Sequence, residues 1–173
     1  MVKSLQDWHQ AGIPVDSKTQ REAEALLFAE ARLIDLGQFQ EWLNLFVPEC
    51  LYWAPVVPMG GDPRKQVSLI FDDRRRMEDR VAWLTCGFAY AQTPPSRTCR
   101  ILGNIEVFQT QREDELRVRS NQIIQEFRVS QSRTFAGWCG HLLRQTSEGW
   151  RIVIKQVHLI DCDQGHENLT FLL

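Results

Sequence analysis

Apolar positions recur every three to four residues early in the chain and every second residue late in it, which separates a helical part from a sheet part. Ala23, Leu26, Leu27, Leu33 and Ile34 trace one helical face, with Glu30 as its single polar interruption. Ser17 with Gln20 three residues on reads as the capping box of this helix, and Gly37 stops it. A shorter helix then groups Phe39, Trp42, Leu43 and Phe46 and ends near Pro48. Residues 50–54 have the aromatic composition of a strand, and the Pro/Gly-rich stretch 55–65 reads as a contact or lid loop. The apolar run 69–71 is a short strand. After it, Asp72 or Asp73 caps a helix carrying Met77, Val81 and Leu84, and Pro94-Pro95 forbids its continuation.

Four strands follow, about 100–110, 116–130, 134–146 and 150–162, separated by turn signals at 112–115, 130–133 and 146–149. Short connections make them antiparallel neighbours. In the first, alternation places Ile101, Ile105 and Val107 on one side and Asn104 and Glu106 on the other. In the second, the apolar face changes at Ile123-Ile124, which predicts a bulge or a strong bend that curls the sheet. Helices followed by such a sheet predict an α+β fold, with N-terminal helices packed in the concave face of a strongly curved, mainly antiparallel sheet. Residues 1–16, broken by Gly12 and Pro14, read as an N-terminal arm of the kind a neighbour orders, and 17–173 as a single domain.

Four short motifs stand in a fixed order: Asp72-Asp73, Asp79-Arg80-Val81, Pro95-Ser96-Arg97-Thr98 and Asn104-Ile105-Glu106-Val107. In this order they resemble the small (beta) subunit of the bacterial aromatic-ring-hydroxylating dioxygenases, and the resemblance extends upstream over 22–55 and downstream over 127–161. It implies the cone-shaped fold of nuclear transport factor 2. It also implies a non-catalytic, structural subunit without a cofactor of its own, assembled with a large alpha subunit as alpha3beta3 around a beta trimer. The alpha partner would carry a [2Fe-2S] Rieske cluster and a mononuclear Fe(II), take electrons from a ferredoxin or reductase, and dihydroxylate an aromatic ring.

Composition changes this picture little. The 173 residues suit one core, and a net charge of −2 gives no reason to expect nucleic acid or a membrane surface. No apolar run is long enough for a signal peptide or a membrane span. Five cysteines, at 50, 86, 99, 139 and 162, form no CxxC pair and point to a reducing, cytoplasmic setting. Six tryptophans are more than one core of this size uses, so some, with Trp53 as the candidate, are material for an interface.

Candidate chemistry is sparse. Tyr52, Asp72, Asp73, His141 and His158 are the groups that could titrate in a cleft, and Tyr52, Asp72 and His158 would carry acid-base work if the chain were a free-standing isomerase, dehydratase or cyclase of the cone fold. Composition also admits a small-ligand binding module. His158, Asp161 and His166 have the residue types of a two-histidine, one-carboxylate iron site, but the odd separation of the first two puts them on opposite faces of a strand. Cys139-Gly140-His141 matches half of a Rieske motif, whereas Cys162 to His166 has one residue too many for the other half. Arg74, Arg75, Arg76 and Arg80 alternate with acids along one helix, and Arg75 with Asp79 reads as an i,i+4 pair. Arg97 and Arg100 follow a rigid Pro-Pro segment and can face a partner's carboxylates, so Arg80, Arg97 and Arg100 join Trp53 as interface candidates.

Overall fold

The computed structural model describes residues 8, 10–58, 61–87, 92–166 and 169–173. Helix α1 (Ser17–Asp35) buries Ala23, Leu27, Glu30 and Ile34 on the face read from its periodicity. Its cap lies one residue earlier than the Ser17 box: the Asp16 carboxylate accepts from the amides of Lys18 (2.8 Å) and Thr19 (3.1 Å) and from the Thr19 hydroxyl (2.6 Å). An ionised carboxylate suits the positive end of a helix better than a hydroxyl does. Gly37, at φ +70°, takes the left-handed conformation that ends the helix.

Helix α2 (Phe39–Leu43) is shorter than its apolar spacing suggests, and Phe46 already belongs to strand β1 (Phe46–Pro55). Pro48 does not stop this strand, because pairing with its neighbour is interrupted between Phe46 and Leu51, where no backbone donor is required of it. Strand β2 (Ser68–Asp73) leads directly into helix α3 (Arg74–Thr85), and the two aspartates divide the work there. Asp73 caps α3 by accepting from the Arg76 amide (2.9 Å), while Asp72 turns inward to Arg80 Nε (2.6 Å). Arg75 and Asp79 form the expected i,i+4 pair at 3.5 Å, fully on the surface.

The remaining strands are β3 (Arg97–Gln109), β4 (Glu115–Arg128), β5 (Gln131–Thr146) and β6 (Gly149–Leu159). They complete a six-stranded sheet in the order β2-β1-β6-β5-β4-β3, antiparallel except where β1 meets β6. Two face assignments need correction. Ile101 pairs with Ile123 on the convex face and is 64% exposed, whereas Thr98, Arg100 and Leu102 point inward. The register slips between Gly103 and Glu106, with Asn104 at φ +50°, so the inward face passes to Ile105 and Val107 only after the bulge. Conversely, β4 has no bulge at Ile123-Ile124. Its pairing with β5 is unbroken, and the inward positions are Leu116, Val118, Ser120, Gln122, Ile124 and Glu126. The apparent change of face arose because polar side chains occupy the concave side. The turn expected at 130–133 is instead the two-residue loop Val129-Ser130, both at positive φ, as a tight hairpin requires.

The sheet curls until elements far apart in strand order meet. Helix α1 packs on both β3 and β6, and the segment Phe171-Leu172-Leu173 lies fully inside, touching β3 and β1 together. Of the arm at 1–16, residues 8 and 10–16 are described, and they are held by this chain's own sheet: Pro14 bridges Phe108, the Ile13 carbonyl accepts from the Gln109 amide (2.9 Å), and Trp8 is buried on the convex face. Trp8 lies flat over Gly140, where an added Cβ would come within 2.6 Å of its ring, and its indole N–H bonds Gln156 (2.8 Å).

Candidate functional site

The concave side of the cone is where an enzyme of this shape would hold substrate, and here side chains of the described residues fill it except toward its open end. Tyr52 is completely buried on β1. Its hydroxyl donates to the Leu173 backbone oxygen (3.0 Å) and accepts from the Leu173 amide (2.8 Å), and burial pushes its phenol well above the usual range. Behind it, Glu30 of α1 receives three donors: Lys155 Nζ at 2.8 Å, His141 Nε2 at 3.0 Å and Trp42 Nε1 at 3.2 Å. Lys155 and His141 face each other across β6 and β5, which is why both reach one carboxylate. Burial alone would push Glu30 upward, but the charges and hydrogen bonds of Lys155 and His141 more than offset it and hold the carboxyl far below its ordinary value. The Lys155 ammonium also lies 5.5 Å from the centre of the Tyr52 ring. The result is a closed polar chain through the core, from His141 to Leu173, with no face turned to a substrate.

The residues proposed for acid-base work do not converge. Tyr52 and Asp72 are cross-strand partners facing inward, but Asp72 is bound to Arg80 and Tyr52 to Leu173. His158 points to the convex face, stacked on Trp138 at 3.9 Å and bonded to Gln156. It therefore lies across the sheet from the other two. Asp73 is spent as a helix cap.

The metal-site candidates separate in the same way. Asp161 and His166 approach each other at 3.8 Å past the end of β6, while the His158 ring is held by Trp138 on the convex face. In the Rieske-like half motif, Cys139 and His141 share the concave face of β5, but His141 Nε2 is engaged by Glu30, and burial pushes the Cys139 thiol up to about 12. Among the described residues no group of three His, Cys, Asp or Glu side chains is placed to hold a metal ion.

The four interface candidates fall into two kinds. Arg97 is exposed, with its guanidinium over the Phe127 ring at 4.8 Å, and Arg80 keeps 30% of its side chain exposed beside Trp83, which is itself 40% exposed. Trp53 and Arg100 are buried within the chain. The Trp53 indole donates to Ser68 (2.9 Å), and Arg100 binds Asp35, Thr98 and the Leu172 carbonyl, so its guanidinium does not point outward. The reason is the bulge in β3: ahead of it, Arg100 occupies an inward position. Sequence reasoning missed the role of Glu30 and Lys155. A glutamate inside an otherwise apolar helical stripe was the available signal.

A helix-lined, strongly curved sheet with this strand order is the NTF2-like cone. An NTF2-like protein with a cystatin-like fold from Novosphingobium aromaticivorans matches it with a TM-score of 0.57 at 18% identity, covering 82% of this chain and 81% of that one, which supports the fold alone. The sequence defines a narrower class. Over residues 29–163 the sequence matches the family described as ring hydroxylating beta subunit. It is 34% identical over 140 residues to the 2-halobenzoate 1,2-dioxygenase small subunit of Burkholderia cepacia, covering 78% of this chain and 84% of that relative. The beta subunit of the benzoate 1,2-dioxygenase from Burkholderia mallei superposes with a TM-score of 0.68 at 25% identity, over 87% of this chain and 93% of that one. The chain belongs to the ring hydroxylating beta subunit family. It is a beta subunit of an aromatic-ring-hydroxylating dioxygenase and thus one component of an enzyme complex.

Proposed function

We propose that this chain acts as the structural scaffold of an alpha3beta3 dioxygenase, in which a trimer of cones carries three large alpha subunits. The alpha subunit holds the Rieske cluster and the mononuclear iron, and a ferredoxin or reductase delivers electrons to it. The observation that carries this reading is the occupied cone: Tyr52, Glu30, Lys155, His141 and the 171–173 segment take up the interior and bind one another. Arg97, together with Arg80 and Trp83 on α3, supplies exposed guanidinium and aromatic surface of the kind enriched at interfaces, and we assign both patches to subunit contacts. Among the described residues no helix is long and apolar enough to cross a membrane. The free cysteines fit assembly in the cytoplasm.

Sedimentation of the chain alone and with its large subunit tests the reading. A trimer alone and a hexamer in company are expected. A monomer under both conditions at micromolar concentration overturns it.

A further inference from the structure

The apolar side chains left uncovered on the convex face of the sheet are not scattered. Ile101 on β3 pairs with Ile123 on β4, and Ile123 with Ala136 on β5. The Ile160 amide donates to the Ala136 carbonyl (3.0 Å), which extends the Gly137–Leu159 pairing by one residue past the end of β6. Residues directly opposite one another share a face. Ile101, Ile123, Ala136 and Ile160 therefore stand in one row across four strands, about 14 Å wide at a strand spacing of about 4.8 Å. At the β3 edge the row continues onto α1, where the exposed Phe28 and Leu36 flank a groove that ends on Ile101. At the other end Ile160 is 78% exposed. A contiguous apolar band of this kind marks a contact surface.

Charge at its two ends decides what covers it. At the α1 end, Arg32 lines the groove beside Phe28 and Leu36, is exposed, and has no ion pair among the described residues. At the other end, Ile160 is followed by Asp161, half exposed, and by Asp163, exposed with only the neighbouring Gln164 side chain as a donor (3.2 Å). One end is positive and the other negative, so the row is its own complement. Laid against a second copy with the ends reversed, apolar residues meet apolar residues and Arg32 meets Asp163. A partner of another sequence would have to supply both signs at a matching separation, whereas a second copy has them by construction.

We infer that the row from Phe28 to Ile160 is the surface through which copies of this chain associate, with Arg32 of one copy facing Asp163 of the next. The inference rests on the scaffold reading for the number of copies: repeated around a threefold axis, this heterologous contact closes after three.

Sedimentation of the chain alone over a range of concentrations tests it, with circular dichroism to show that each variant is folded. Ile123→Glu and Ile160→Glu put a carboxylate into the row and should raise the concentration of half-dissociation by at least about tenfold. Ile160, being the more exposed, carries the test if Ile123→Glu does not fold. Ile13→Glu, exposed at the far end of β3 beside Gln109, should leave association unchanged. Arg32→Glu and Asp163→Arg should each weaken association roughly tenfold, and both together in one chain should restore it, as only an interface that pairs these two ends requires. A trimer left intact by the glutamates in the row, an equal loss with Ile13→Glu, or a double variant no better than either single one overturns the inference while the scaffold stands. An unaltered chain that is monomeric alone also overturns it, and sedimentation with the large subunit then decides the scaffold separately. A dimer dissociated by the same variants keeps the row and removes the threefold scaffold.

Discussion

Lys155 neutralises a carboxylate that has been moved out of water, so its loss acts mainly through what it leaves behind. Replacing it with Met strands the Glu30 charge with only His141 and Trp42 as partners, and breaking a buried pair in this way costs about 3 to 5 kcal/mol. Urea unfolding of Lys155→Met measures that loss; a change under about 1 kcal/mol would show that the pair is not held in the dry interior. The same carboxylate gives a pH signature. Its folded value is depressed below its ordinary 4.5, so the stability it contributes is complete above that value and is lost as the pH falls through it toward the folded value. The stability gap between the unaltered chain and Glu30→Gln should accordingly be widest near neutrality and shrink below about pH 4.5. A gap that widens with acid would reverse the sign. Of this network only Glu30 is visible in sequence, as a polar break in an apolar stripe. That Lys155 and His141 reach it depends on which strand lies beside which and in what register, and neither is set by local pattern.

At the scale of elements, hydrophobic period and composition located the helices and strands of the described residues, while several boundaries and faces failed where a polar group had a local partner. The α1 cap is one case. Asp16→Ala should lower the midpoint of thermal or urea unfolding measurably, and Ser17→Ala far less; the opposite order would restore the Ser17 box. Strand faces are the other case. On β4 the inward Ser120, Gln122 and Glu126 look like surface residues, and Ile123 and Phe127 opposite them look like core, although they are 46% and 40% exposed. A cone whose concave side is partly polar inverts the usual rule that the apolar face is the buried one. On β3 the slip at Gly103-Asn104 reverses the faces midway, and nothing in a period-two reading anticipates a left-handed Asn104.

At the scale of the whole molecule, the ordered motifs carried the family from the sequence alone, because they are spread over elements that form one continuous surface and core. Two of them now have physical explanations: Asp72-Asp73 divides into an ion pair and a cap, and Arg97-Thr98 begins an edge strand whose convex face stays open. The two arginines after the Pro-Pro segment should therefore behave differently. Arg97→Ala should weaken assembly with the partner subunits and leave unfolding of the chain nearly unchanged. Arg100→Ala should cost the chain itself about 2 to 5 kcal/mol, since it leaves Asp35 and the Leu172 carbonyl without their donor. Sedimentation and urea unfolding of both variants separate the effects, and equal behaviour in the two measurements would remove the distinction.

In the proposed assembly this subunit scaffolds an oxygenase whose iron chemistry would lie in its partner. The most direct measurement is the visible iron–sulfur absorbance and iron content of the assembled complex carrying Cys139→Ala, a change that removes one would-be Rieske ligand and leaves the Glu30, His141 and Lys155 network in place. Absorbance and iron per assembled complex should equal those of the unaltered complex. Loss of the absorbance from a complex that still assembles normally would place the cluster in this chain and contradict the structural role.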